Sequence, residues 1–69
     1  MWQNVHSNGV AYRIAPDWDG ARYKVGVRPK ETVTAAVVGS AWIQTTDGVW
    51  VPIVRRVSDS RIEYFRQVL

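Results

Sequence analysis

The chain has 69 residues, nine Lys and Arg against six Asp and Glu, 46% hydrophobic residues and no cysteine. That is room for one domain over residues 1–69, burying about 60% of the surface its unfolded form exposes. It excludes disulfides and thiolate metal sites, and no apolar run reaches the ~18 residues of a membrane-spanning helix.

Four tryptophans, three tyrosines and one phenylalanine, with many valines, supply enough apolar bulk to order the chain. Tryptophan is seldom fully buried, so some of the four are expected to line a surface. The formal charge of +3 favours acidic partners mildly and does not by itself define a nucleic-acid binder. Met1-Trp2-Gln3-Asn4 opens into strand-like sequence without a leader pattern. The absence of cysteine is compatible with a cytoplasmic location.

Trp2 to His6 alternates as a short strand does. Ser7-Asn8-Gly9 is turn chemistry, and Val10 to Ile14 forms the next strand. Ala15 to Pro29 holds two prolines, two glycines and five charges and reads as a long loop, a length that in a tiny domain is usually functional. Glu31 to Val38 is a strand with Val33, Ala35 and Val37 on one face. Gly39-Ser40 is a tight turn. Trp42 to Thr45 is a strand, Asp47-Gly48 a hairpin turn, and Val49 to Ile53 the return. Val49, Val51 and Ile53 alternate with Trp50 and Pro52, so the valine set faces the core and Trp50 and Pro52 face outward or toward a groove. Pro52 places the strand near an edge or at its end, because proline donates no ladder hydrogen bond. Arg61 to Leu69 reads as a last strand that can pair with Trp2 to Val5. A helix capped by Ser58-Asp59-Ser60, with Ile62, Phe65 and Leu69 on one face, is the alternative. Short strands at close spacing predict an all-β fold, a small barrel of five to six antiparallel strands with its termini able to pair.

Enzyme constellations are nearly absent. His6 is the only histidine and stands beside a turn, where an exposed loop residue is expected. No serine sits in a nucleophile elbow. Asp17 and Asp19 read as solvated loop carboxylates or as partners for a ligand cation. No phosphate loop or metal-ligand spacing exists, so neither enzyme activity, cofactor nor metal is expected. The richer signal is Tyr12, Trp18, Tyr23, Trp42 and Trp50 with Pro52. These rings either fill the core or form an exposed groove for an extended, pre-ordered polyproline peptide.

The order of these landmarks resembles a Src-homology-3 domain or its bacterial-type relatives, over roughly residues 10–57. Val10-Ala11-Tyr12-Arg13-Ile14 stands where that family has its opening strand motif. Tyr12 matches the first groove tyrosine, and Ile14 occupies the place of the second. Ala15 to Pro29 matches the specificity loop, with Asp17 and Asp19 where acidic residues read a ligand arginine, and Trp18 lies between them. Trp42 matches the groove tryptophan, and Trp50 and Pro52 match the aromatic and proline that flank the groove. The closing tyrosine falls near Arg55.

The resemblance implies a protein–protein interaction module of a scaffold or cytoskeletal protein, its ligand a peptide that can contain proline, held by Tyr12, Ile14, Asp17, Trp18, Asp19, Trp42, Trp50, Pro52 and Arg55. It also leaves open cell-wall or glycan binding, which would place the domain outside the cell. Nucleic-acid binding through Arg55-Arg56, Arg61 and Arg66, a methyl-lysine cage of Trp18, Tyr23 and Trp42, and a monomer or a weak homodimer exchanging Arg61 to Leu69 are the further alternatives.

Overall fold

The computed structural model describes residues 1–68 and is all-β, as the alternation predicts. Its strands are β1 (Trp2–Asn4), β2 (Val10–Arg13), β3 (Arg22–Val27), β4 (Thr32–Val33), β5 (Ala35–Val38), β6 (Trp42–Thr45), β7 (Trp50–Pro52), β8 (Val54–Val57), β9 (Ser60–Glu63) and β10 (Phe65–Gln67). They form a five-stranded antiparallel sheet in the order β3-β2-β7-β6-β5, a three-stranded sheet β10-β1-β4 and the hairpin β8-β9. No helix among the described residues is long and apolar enough to cross a membrane.

The core lies between the two larger sheets. Val10, Val27, Ile43 and Val51 come from the five-stranded sheet, and Val33 and Phe65 from the three-stranded one. Trp2, Tyr12, Ala35, Ile53 and Tyr64 pack around them, half-buried. The termini close this core: Trp2 pairs with Gln67 and Asn4 with Phe65. Val68 N donates to Met1 O at 2.9 Å. The terminal segment is therefore strand rather than helix, with Leu69 outside the described residues.

The strands are shorter than the alternation implies because the chain changes partners. At Tyr64 the N–H donates to Ile53 O at 2.8 Å, while the C=O accepts from Val5 N at 2.9 Å. One residue thus hands the chain from the β8–β9 hairpin to the β1 ladder. Pro52 is tolerated inside the sheet for a related reason. It ends β7, and β7 meets β2 only at the Arg13–Trp50 position, so its missing N–H interrupts no bond on that side.

Three expectations need correction. The stretch Ala15 to Pro29 is not one long loop: Arg22–Val27 is β3, paired antiparallel with β2 through Val10–Val27 and Ala11–Gly26. Its period-two pattern of Tyr23, Val25 and Val27 is hidden between proline and glycine punctuation. Val37 does not face the core and is 49% exposed, because a register shift between Ala35 and Val37 on the sheet edge breaks the alternation. Pro52 does not lie open to solvent but is fully buried.

Two glycines answer to geometry. Gly48 sits at φ +86° in the β6–β7 turn, where a side chain is strained. At Gly26 a Cβ would stand 2.1 Å from Val10 O and 2.7 Å from Ala11 Cα, both backbone. Only glycine lets β3 approach β2 so closely.

Candidate functional site

In β6 and β7, Ile43 pairs with Val51 and both are fully buried. Trp42 pairs with Pro52 and Gln44 with Trp50, so by alternation these four share the opposite face. The turn between β2 and β3 folds back over that face and carries Trp18. Trp18 lies 4.9 Å from Trp42 and 5.7 Å from Tyr64, ring centre to ring centre, with tilted planes. Two guanidiniums also sit on its ring, Arg55 at 4.3 Å and Arg13 at 4.9 Å, a cation–π arrangement.

The turn is stiffened locally. Asp17 N donates to Ala15 O at 2.8 Å, and Asp19 N donates to Asp17 Oδ1 at 2.9 Å. From below, Arg13 Nη1 donates to the carbonyls of Asp17 at 3.3 Å and Trp18 at 3.1 Å. Arg13 therefore positions the Trp18 ring from both its backbone and its face.

His6 also packs on Tyr64, stacked at 4.9 Å with planes 20° apart. His6 Nδ1 accepts from Asn8 N at 3.1 Å, which assigns the ring proton of the neutral imidazole to Nε2. His6 is thus half-buried against an aromatic ring and not the exposed loop residue expected. Asn4, 1% exposed, holds this turn: its Nδ2 donates to Val27 O at 2.9 Å and Asn8 O at 3.2 Å, and its Oδ1 accepts from His6 N at 2.9 Å.

Between Trp18, Tyr64 and Pro52 opens a cleft of about 200 Å³, lined also by Arg13, Arg22, Arg55 and the Gly9–Ala11 segment. Three arginines and two aromatic rings converge there with no acidic residue in the lining. A wider depression of about 440 Å³ over β2 and β3 has no aromatic wall.

The expected site residues divide accordingly. Trp18, Pro52 and Arg55 line the cleft, and Trp42 supports it through Trp18. Trp50 is half-buried beside Arg13 and Gln44 in the ladder. Tyr12 does not reach the cleft: alternation along β2 sends Val10 and Tyr12 to the core and Ala11 and Arg13 to the cleft. Ile14 is 58% exposed past the end of β2. Asp17 and Asp19 are exposed on the turn and outside the cleft lining. Tyr23 is exposed and takes part in none of the ring pairs, so the three-ring cage with Trp18 and Trp42 is not assembled. Among the described residues no cluster of His, Asp and Glu could hold a metal ion.

The sequence alone does not single out Arg13, Arg22 or Tyr64 as cleft residues. Arg13 was legible only in its orientation, since strand alternation from Val10 puts it on the face opposite the core. Tyr64 was not, because its place depends on the partner change at that residue.

The only ion pair among the described residues joins Arg66 Nη2 to Glu63 Oε1 at 2.6 Å. The hydrogen bond from Arg66 holds the Glu63 carboxyl below its ordinary value of 4.5. No family model, curated protein or solved structure matches the chain.

Proposed function

We propose that this domain is a non-catalytic recognition module that binds an extended peptide, which can contain proline, across the Trp18–Tyr64 cleft. One observation carries this: Trp18 gathers Trp42, Tyr64, Arg13 and Arg55 around one ring, while the core of Val10, Val27, Val33, Ile43, Val51 and Phe65 is assembled without it. An aromatic cluster outside the core gives the flat, rigid apolar faces on which a pre-ordered extended peptide docks with little loss of entropy. The order of landmarks that resembles a Src-homology-3 domain supports the same use, with the groove centred on Trp18 rather than Tyr12. A module of this size works by tethering, as part of a scaffold or cytoskeletal protein.

Trp18→Ala separates recognition from structure. It is expected to keep the cooperative urea transition while losing at least about tenfold in affinity for peptides selected from a random library, in line with an aromatic hot spot. Loss of the folded state in Trp18→Ala, with no selected peptide bound by the parent chain, would defeat the proposal. Co-sedimentation with purified peptidoglycan in place of peptide binding would assign the groove to cell-wall glycan.

A further inference from the structure

We infer that the groove selects acidic peptides, seating one aspartate or glutamate carboxylate of the ligand among Arg13, Arg22 and Arg55. This deepens the peptide-binding proposal above and rests on it. It also inverts the electrostatics implied by the family resemblance, in which carboxylates of the domain read a ligand arginine.

Three observations lead there. The cleft lining contains these three arginines and no carboxylate, and the one ion pair among the described residues belongs to Arg66 and Glu63. Second, Arg13 and Arg22 are direct cross-strand partners, a placement in which like charges repel and destabilise the ladder. A ligand anion between them converts that repulsion into attraction. Third, two of the guanidiniums are held before any ligand arrives. Arg13 is fixed by the Asp17 and Trp18 carbonyls, and both Arg13 and Arg55 rest on the Trp18 ring. Guanidinium forks matched to a planar carboxylate give short, charge-assisted and often bidentate hydrogen bonds, and a stacked fork loses little freedom in making them.

The surroundings favour an isolated carboxylate over a phosphate backbone. The cleft is small, about 200 Å³. Asp17 and Asp19 stand exposed on the same turn as Trp18, so a polyanion running across the rings would meet two like charges at the rim. A peptide with one acidic residue between neutral neighbours meets only the arginines.

The test begins with the full chain and a phage-displayed library of random dodecapeptides, followed by fluorescence anisotropy on the enriched sequences. Enriched peptides are expected to carry aspartate or glutamate. Changing that residue to its amide should weaken binding about tenfold, and Arg22→Gln should do the same. The two changes together should cost little more than either alone, the signature of a direct pair. Affinity should fall as salt rises from about 50 to about 300 mM. Arg22 is exposed and makes no side-chain hydrogen bond among the described residues, and its amide variant relieves the repulsion from Arg13, so it should melt no lower than the parent and slightly higher. Enriched peptides that are neutral or basic, or an Arg22→Gln variant with unchanged affinity, would overturn the acidic preference while leaving the peptide groove standing. No enrichment at all would remove the groove and the preference together, and tighter binding of oligothymidylate than of any peptide would hand the arginines to nucleic acid instead.

Discussion

Replacing Asn4 by alanine should remove a large part of the stability of this domain. The side chain is 1% exposed and makes three hydrogen bonds, to Val27 O, Asn8 O and His6 N. One of these bonds is buried and two are part-buried, and each contributes about 1 kcal/mol net, more where a buried partner is left unsatisfied. Three of them give a loss of about 3 kcal/mol. A domain of this length has a total stability of roughly 3–10 kcal/mol, so the change is severe. The structural consequence is local before it is global, because Asn4 ties β1 to the end of β3 and to the turn that presents His6 to Tyr64. Urea unfolding followed by tryptophan fluorescence reads the effect as a midpoint lowered by up to about 3 M, for a slope near 1 kcal/mol per M. Asn4→Asp sharpens the test. It keeps the acceptor toward His6 N but turns an oxygen toward two carbonyls, so it should be at least as damaging at neutral pH. It should recover partly in acid, where the protonated carboxyl regains a donor. A loss below about 1 kcal/mol in Asn4→Ala, or an Asn4→Asp chain as stable as the parent at neutral pH, would refute this account.

Three further outcomes follow from single features. Gly26→Ala puts a Cβ 2.1 Å from Val10 O, so β2 and β3 must part and the urea midpoint should drop by an amount worth about 3 kcal/mol. Thr45→Val should raise stability by about 1 kcal/mol in the same assay, because Thr45 Oγ1 is buried without a hydrogen-bond partner and valine has nearly the same shape. Glu63 binds its proton less tightly folded than unfolded, owing first to the hydrogen bond from Arg66. Its contribution is therefore present above the ordinary value of 4.5 and fades as the pH falls through its lowered folded value. Melting temperatures measured from neutral pH into acid should fall a little less steeply for Glu63→Gln than for the parent. The difference should be small, since the pair is exposed.

Local chemistry was enough to place most of the strands. Asp47-Gly48 between two alternating runs specifies the β6–β7 hairpin, and the positive φ of Gly48 is what that turn demands. Val10 to Ile14 and Trp42 to Thr45 read as strands because β-branched and aromatic residues cluster there between turn residues, but the face of Tyr12 does not follow from that pattern: it packs against the core and not in the groove. β3 was lost for the opposite reason. Five of its six residues are exposed, so it is a strand through its ladder to β2 and not through burial of its own side chains. The register shifts at Ala11–Arg13 and Ala35–Val37 likewise depend on the neighbouring strand, which no local pattern encodes.

Composition and alternation by themselves determined that this chain forms a small all-β domain with more aromatic surface than its core can hide, since side-chain period and turn preference act over a few residues. Where that surface gathers was decided by tertiary structure alone. Arg13, Trp18, Arg22, Pro52, Arg55 and Tyr64 come from separate strands and turns. They meet because the β2–β3 turn folds over the β6–β7 face and because the chain changes partner at Tyr64. Convergence of distant segments is fixed by strand pairing across the whole domain, which period and turn preference over a few residues do not encode.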